Sequence, residues 1–261
     1  MHLADGILTQ PGVSLAANLV GIGGVLVLAL RRIDTLPPAR LAWAGTLGAF
    51  IVAAQTINLP VAPGVSAHAI GASLVTLLVG PALGIVVLSA VLLIQTLLLA
   101  DGGLTVLGIN MLNIAILPSL TVAGAARLFG RDSAAAAIGG TALGSLIAAG
   151  SLAALLVFGA GAPVHITVPL LLGVQTAAGV VEGIMTWFAV RALRRQASHL
   201  LGEAPRRLQT LDDEADALLQ HKPAFRWAAV AVCLLLALLP LATSSPDALE
   251  VVMQRLSAPN R

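Results

Sequence analysis

The sequence has no tyrosine, a single cysteine, and only 3% aromatic and 10% charged residues. Each shortage excludes something. Soluble globular chains carry about 25% charged residues, so this chain cannot cover its apolar atoms with water-facing groups and belongs in lipid. The lone cysteine, Cys233, lies inside an apolar run; it excludes an internal disulfide and reads as a small core residue. Scarce aromatics leave little for interfacial belts. A formal net charge of only +2 gives no basic surface for nucleic acid. There is no Walker-type phosphate loop, no HExxH and no nucleophile elbow. The chain therefore reads as no enzyme, and any ATP-driven work must come from partner chains.

What is present is 58% hydrophobic residues and 26 glycines, a composition suited to close helix packing in a bilayer. Apolar runs of about 17–25 residues between charged or Pro/Gly breaks mark membrane helices. They fall near 12–30, 40–57, 66–79, 82–99, 105–127, 134–158, 165–190 and 226–242. The third is short and stops at Gly80-Pro81, as a half-helix would. The expected fold is an all-α membrane protein: a bundle of about seven transmembrane helices plus one C-terminal transmembrane helix. Three parts follow: a body over 1–195, a polar cytoplasmic linker over 196–225, and a tail over 226–261. The first long apolar run begins after Pro11 without a basic leader, so no cleaved signal peptide is expected.

Orientation follows from basic residues. Of the fourteen Lys and Arg, all but Arg255 and Arg261 fall in loops that share one side of this topology. If that side is cytoplasmic, both termini face outward. His2 and the turn leading to His68 then share the outer side.

The pair Met1-His2 offers three nitrogens to one metal ion: the Met1 amine, the His2 backbone amide and the His2 imidazole Nδ1. They close a five- and a six-membered chelate ring, a planar set suited to Ni(II) or Cu(II). His68 supplies the fourth nitrogen of a planar site, or else caps the helix it precedes. Because imidazoles must be neutral to bind a metal, affinity is expected to fall as pH drops through about 6. Around these donors, Asp5, Asn58, Gln95, Asp101 and Asn110 are candidate supporting residues. Asp5 orders the N-terminal loop or accepts a proton from His2 Nε2. The stretch Asp101-Gly102-Gly103 with Asn110 can hydrogen-bond a loop or a ligand imidazole, and Gln95 can serve the site or tie helices together. Glu182, a carboxylate inside an apolar run, reads either as a functional group or as a structural partner of a neighbouring helix, far from His2.

These residues resemble the substrate-binding S component of energy-coupling-factor nickel/cobalt transporters, the CbiM/NikM family. The resemblance covers Met1 to about Arg195 and is most specific at residues 1–8 and 60–71; Gly80-Pro81, Gln95, Asp101-Gly102-Gly103, Asn110 and Glu182-Gly183 also follow it. Residues 244–250 look like the Pro-Asp-Gly-Leu-Glu element of the small accessory subunit, here fused C-terminally, with Ala248 in the glycine position. The resemblance implies a metal site of Met1, His2 and His68, with Ni(II) or Co(II) as transported substrate. It further implies a membrane T component and two ATPase subunits as partners, in a bacterial cytoplasmic (inner) membrane. Ala17, Gly21 and Gly24 on the first helix form a candidate face for the T component, or else pack against another helix of the same protein. The rival reading is a proton-coupled secondary metal transporter that uses Glu182.

Overall fold

The computed structural model describes residues 2–32, 38–56, 59–62, 65–196 and 247–257. Its elements are α1 (Pro11–Arg32), α2 (Pro38–Gln55), β1 (Leu59–Ala62), β2 (Val65–Ala67), α3 (Ala72–Val79), α4 (Pro81–Leu98), α5 (Leu107–Phe129), α6 (Ala135–Ala160), α7 (Val164–Gln196) and α8 (Ala248–Ser257). Pro11, Pro38 and Pro81 stand first in α1, α2 and α4, where the missing N–H has no helical partner to lose. In α5 the π turns of Met111–Ile116 come directly before Pro118, which cannot donate to the carbonyl four residues back.

Among the described residues, five helices, α1 and α4 to α7, are long and apolar enough to cross a bilayer. Leu15, Leu19, Leu98, Leu128 and Phe158 are all more than half exposed on their outer faces. Such a girdle is unfavourable in water and at home in lipid. The protein is therefore an all-α membrane protein with one short hairpin. The third segment, expected as a half-helix, is too short to cross: its helical part, α3, has eight residues and reaches only about 12 Å. It is punctuated by Gly71 and Gly80, both at positive φ. A Cβ on Gly71 would also fall 2.3 Å from Ile51 Cδ1, so the turn into α3 needs glycine twice over. Before α3, residues expected as helix instead form β2, which pairs antiparallel with β1, Leu59 opposite Ala67. The expected linker at 196–225 and the span at 226–242, with Cys233, lie outside the described residues.

Helices approach closely where side chains are absent. The backbone of α7 at Gly183 abuts α6, since a Cβ there would lie 2.6 Å from Ile138 Cα. On α1, a Cβ at Gly21 would fall 1.8 Å from the Gly108 carbonyl oxygen, and Gly24 faces Ile116. Gly21 is buried, and Ala17 packs on the core. At Gly21 and Gly24 this face of α1 is occupied by the protein's own α5, the intramolecular packing that was the alternative to docking a partner. Gly21→Leu should separate α1 from α5 and cost more than the roughly 1–3 kcal/mol of ordinary overpacking. Size-exclusion chromatography after a heating series should show a lower melting point.

The described tail packs on the body. In α8, Leu249 and Val252 are buried, against α7 and β2. A reciprocal cap opens the helix: the Asp247 N–H donates to Glu250 Oε2 at 2.7 Å, and the Glu250 N–H donates to Asp247 Oδ1 at 2.8 Å. Ala248 in place of glycine does not prevent the turn, because the cap uses the two acidic side chains.

Candidate metal centre

The N-terminal loop is stapled into the bundle at three places. Leu3 is fully buried. Its N–H donates to Asn110 Oδ1 at 2.9 Å, while its carbonyl accepts from Asn110 Nδ2 at 3.0 Å and from the Gly103 N–H at 2.8 Å. The Asn110 amide thus pairs with Leu3 as a neighbouring strand would. Two residues on, the Asp5 carboxylate accepts from the N–H groups of Leu104 and Thr105 and from the Thr105 hydroxyl. These bonds, the Thr105 hydroxyl first, hold the Asp5 carboxyl below its ordinary range. A Cβ on Gly103 would fall 2.4 Å from the Asp5 nitrogen, so glycine is what lets the two loops touch. Finally, the Thr9 N–H and hydroxyl both donate to the Gly159 carbonyl, at 2.9 and 3.0 Å.

The receiving loop is held in turn by Asn18 of α1. Its Oδ1 accepts from the Gly108 N–H at 2.8 Å, capping α5, and its Nδ2 donates to the Thr105 carbonyl at 2.6 Å. Sequence reading missed this residue, which resembles any polar side chain on a helix.

This clamping presses the His2 ring against His68. The two rings stack with centroids 5.2 Å apart and planes within 12°. Asp101 Oδ1 lies 3.1 Å from His2 Nδ1, the nitrogen that would close a chelate ring with the backbone amide. That hydrogen bond, aided by the nearby positive charges and opposed by burial, holds the Asp101 carboxyl below its ordinary range. His2 Nε2 is buried and lacks a hydrogen-bond partner.

His68 is buried, and its Nδ1 lies 3.2 Å from the Ala69 carbonyl oxygen. With the proton on Nδ1, that contact is a hydrogen bond and Nε2 is the acceptor nitrogen of the ring. Burial, then the charges of the amino terminus and His2, push the His68 pKa down to about 3. Burial therefore favours the neutral imidazole, the form that can bind a metal. The tail reaches the same neighbourhood. Burial favours the neutral form of Asp247, but the amino-terminal charge, hydrogen bonds and His68 outweigh it and hold the carboxyl at about 2.

For Asp5 and Gln95 the structure selects between the two roles expected of each. Asp5 orders the loop through Leu104 and Thr105 rather than accepting from His2. Gln95 does not reach an imidazole; its Nε2 donates to Gln55 Oε1 at 2.8 Å, and Gln55 Nε2 donates to the Ile70 carbonyl at 2.7 Å. Gln55, unremarked in the sequence, thereby links α4 to the His68 turn. Glu182 is not remote from the site either. Its Oε2 accepts from the Ile70 N–H at 2.7 Å, and its Oε1 accepts from the Gly71 N–H at 2.9 Å and the Ser73 hydroxyl at 3.1 Å. The chain between His68 and α3 doubles back onto α7, which a linear list of spans does not reveal. Met1 and Asn58 lie outside the described residues.

Among the described residues no group of three or more His, Cys, Asp or Glu side chains could hold a metal ion. Two stacked imidazoles are what the described side chains offer, so a full nitrogen shell here must draw on main-chain donors. If the Asn110 pairing seats the loop, Asn110→Ala should leave the buried Leu3 N–H unmet at about 1–3 kcal/mol, while the Leu3 carbonyl keeps its bond from Gly103. Hydrogen exchange at residues 2–5 should quicken by at least about tenfold in that variant.

Residues 2–200 match the family model described as "Cobalt uptake substrate-specific transmembrane region". The chain belongs to this CbiM family. It is 35% identical over 198 residues to a putative metal transport protein of Haloquadratum walsbyi, covering 71% of this chain and 86% of that one. It is 32% identical over 232 residues to the fused nickel transport protein NikMN of Rhodobacter capsulatus. That alignment covers 79% of this chain and 65% of the relative, so the chain spans slightly less than two thirds of the fused protein's length. A crystal structure of a truncated transition metal transporter superposes with a TM-score of 0.66 at 27% identity, covering 75% of this CbiM-family chain and 99% of that one. The relatives are thus transport proteins, and the chain is a multi-pass membrane protein of the same kind.

Proposed function

We propose that the protein captures Ni(II) or Co(II) on the outer side of the cytoplasmic membrane and serves as the substrate-binding component of an ATP-driven transporter. The observation that carries this reading is the stacking of His2 on His68, two residues far apart in sequence, by a loop clamped through Leu3, Asp5 and Thr9. The Met1 amine, the His2 amide and imidazole, and the His68 imidazole are the four proposed donors. Binding displaces the proton of the His2 amide and breaks the contact between Asp101 and His2 Nδ1, which leaves Asp101 as an anionic neighbour of the cation. Asp5 and Asn110 act by seating the loop, and Gln95 acts through Gln55 on the His68 turn.

Both proteins named for nickel transport and proteins named for cobalt transport are among the relatives. A cobalt transport protein CbiM of Roseiflexus is 38% identical over 120 residues, 44% of this chain and 47% of the relative. A deprotonated amide in a planar nitrogen set favours nickel chemically. The chain divides on this reading into the metal-binding body, 1–195, a cytoplasmic linker, 196–225, and a fused tail, 226–261. With both termini outside, the inner ends of the helices remain for a membrane T component and two ATPase subunits.

Nickel accumulation in cells expressing this chain with and without the ATPase subunits tests the reading. Uptake should require the ATPases and should vanish in His2→Ala. Gradient-driven uptake without them would instead support a secondary transporter.

A further inference from the structure

Glu182 is a membrane-buried carboxylate whose described contacts are all donors from one short stretch, the backbone of Ile70 and Gly71 and the hydroxyl of Ser73. Consecutive N–H groups of a turn converging on one anion form a nest, and here the anion is a side chain from another helix. The same turn is gripped on its other side, where Ile70 offers its carbonyl to Gln55, itself held by Gln95. Ser73 also contacts the Thr186 hydroxyl at 3.1 Å, a second tie to α7 one helical turn past Glu182. Three helices thus fix a segment that begins two residues after His68.

This grip lies on the turn that follows His68, where a planar metal site needs rigidity. A side chain on a loose turn can follow the geometry preferred by whichever ion is present. An imidazole on a fixed turn imposes its own.

We infer that Glu182 is a positioning residue for metal binding: by anchoring the turn at Ile70, Gly71 and Ser73, it holds His68 where the fourth nitrogen of a planar site must be, and so sharpens selection of nickel over cobalt. The inference rests on the metal site proposed above. It gives Glu182 a fixed electrostatic task in place of proton transfer. A Gln at this position offers one acceptor oxygen in place of two, so the donors met by the other carboxylate oxygen would face an NH₂.

The test uses the full-length protein with its authentic N-terminus, purified as wild type, Glu182→Gln, Glu182→Ala and His68→Ala. Nickel and cobalt affinities and the visible absorption of bound nickel are measured, and far-ultraviolet circular dichroism checks folding. Glu182→Gln should remain folded, bind nickel at least tenfold more weakly, lose part of its preference over cobalt, and show a weakened planar-nickel absorption band. Glu182→Ala should show the same changes, larger. Nickel affinity, metal preference and spectrum unchanged in Glu182→Gln would overturn the inference, even if Glu182→Ala failed to fold, because the carboxylate would then matter only for stability. Transport lost with affinity and spectrum intact would overturn it in favour of a proton-transfer role. If His68→Ala binds nickel as the wild type does, the metal site itself is misassigned and this inference falls with it. If His68→Ala loses binding while Glu182→Gln does not, only this inference falls.

Discussion

Acetylating the N-terminal amine should weaken nickel binding by more than about a hundredfold while leaving the fold intact. Removing a group that merely supports a metal ligand typically costs about 10–100-fold. Acetylation removes a donor outright and opens the five-membered chelate ring that the amine shares with the His2 amide. The fold should persist, because the described loop is seated through Leu3, Asp5 and Thr9, none of which uses the amine; the interaction of the amine with Asp247 is lost together with the metal donor. Calorimetry on acetylated and free protein from the same preparation measures the difference. Extension by a single residue is a poorer experiment. It places histidine third in the chain, and an amine, two amides and an imidazole then form a nickel chelate without His68.

His68→Ala carries the second large effect. It converts four nitrogens to three and leaves a position open to water, so nickel affinity should also fall by at least about a hundredfold, some 2.7 kcal/mol at 1.36 kcal/mol per factor of ten. The bound nickel should no longer show a planar four-nitrogen spectrum. The two losses should not add fully. With the chelate already opened, the remaining donors bind weakly whether or not His68 is present, as expected for groups that act as one unit. Measuring both single changes and the double change by competition with a chelator gives the coupling.

The helical plan could be read from the chain because lipid imposes a simple rule: apolar runs between breaks become helices. Even the half-helix was legible, since Gly80-Pro81 must interrupt the run. The loops that carry the arginines placed His2 and the His68 turn together, and the two rings do meet. What could not be read were contacts set by packing. Glu182 meets the turn 111 and 112 residues away in sequence, and nothing near it in the chain points there. The face of Ala17, Gly21 and Gly24 has the composition of a docking surface, but small residues look alike whether the close neighbour is a partner or the protein's own Gly108. Asn110 was recognised as a support without its partner, because pairing with the Leu3 backbone depends on a loop inserting end-on.

The proposal that the terminal loop builds a nitrogen-only site meets its most direct test in nickel K-edge absorption of the loaded full-length protein. The expected spectrum is that of a four-coordinate, planar nickel surrounded by nitrogen, with multiple scattering from two imidazole rings. A six-coordinate shell rich in oxygen, or scattering from a single imidazole, would contradict it.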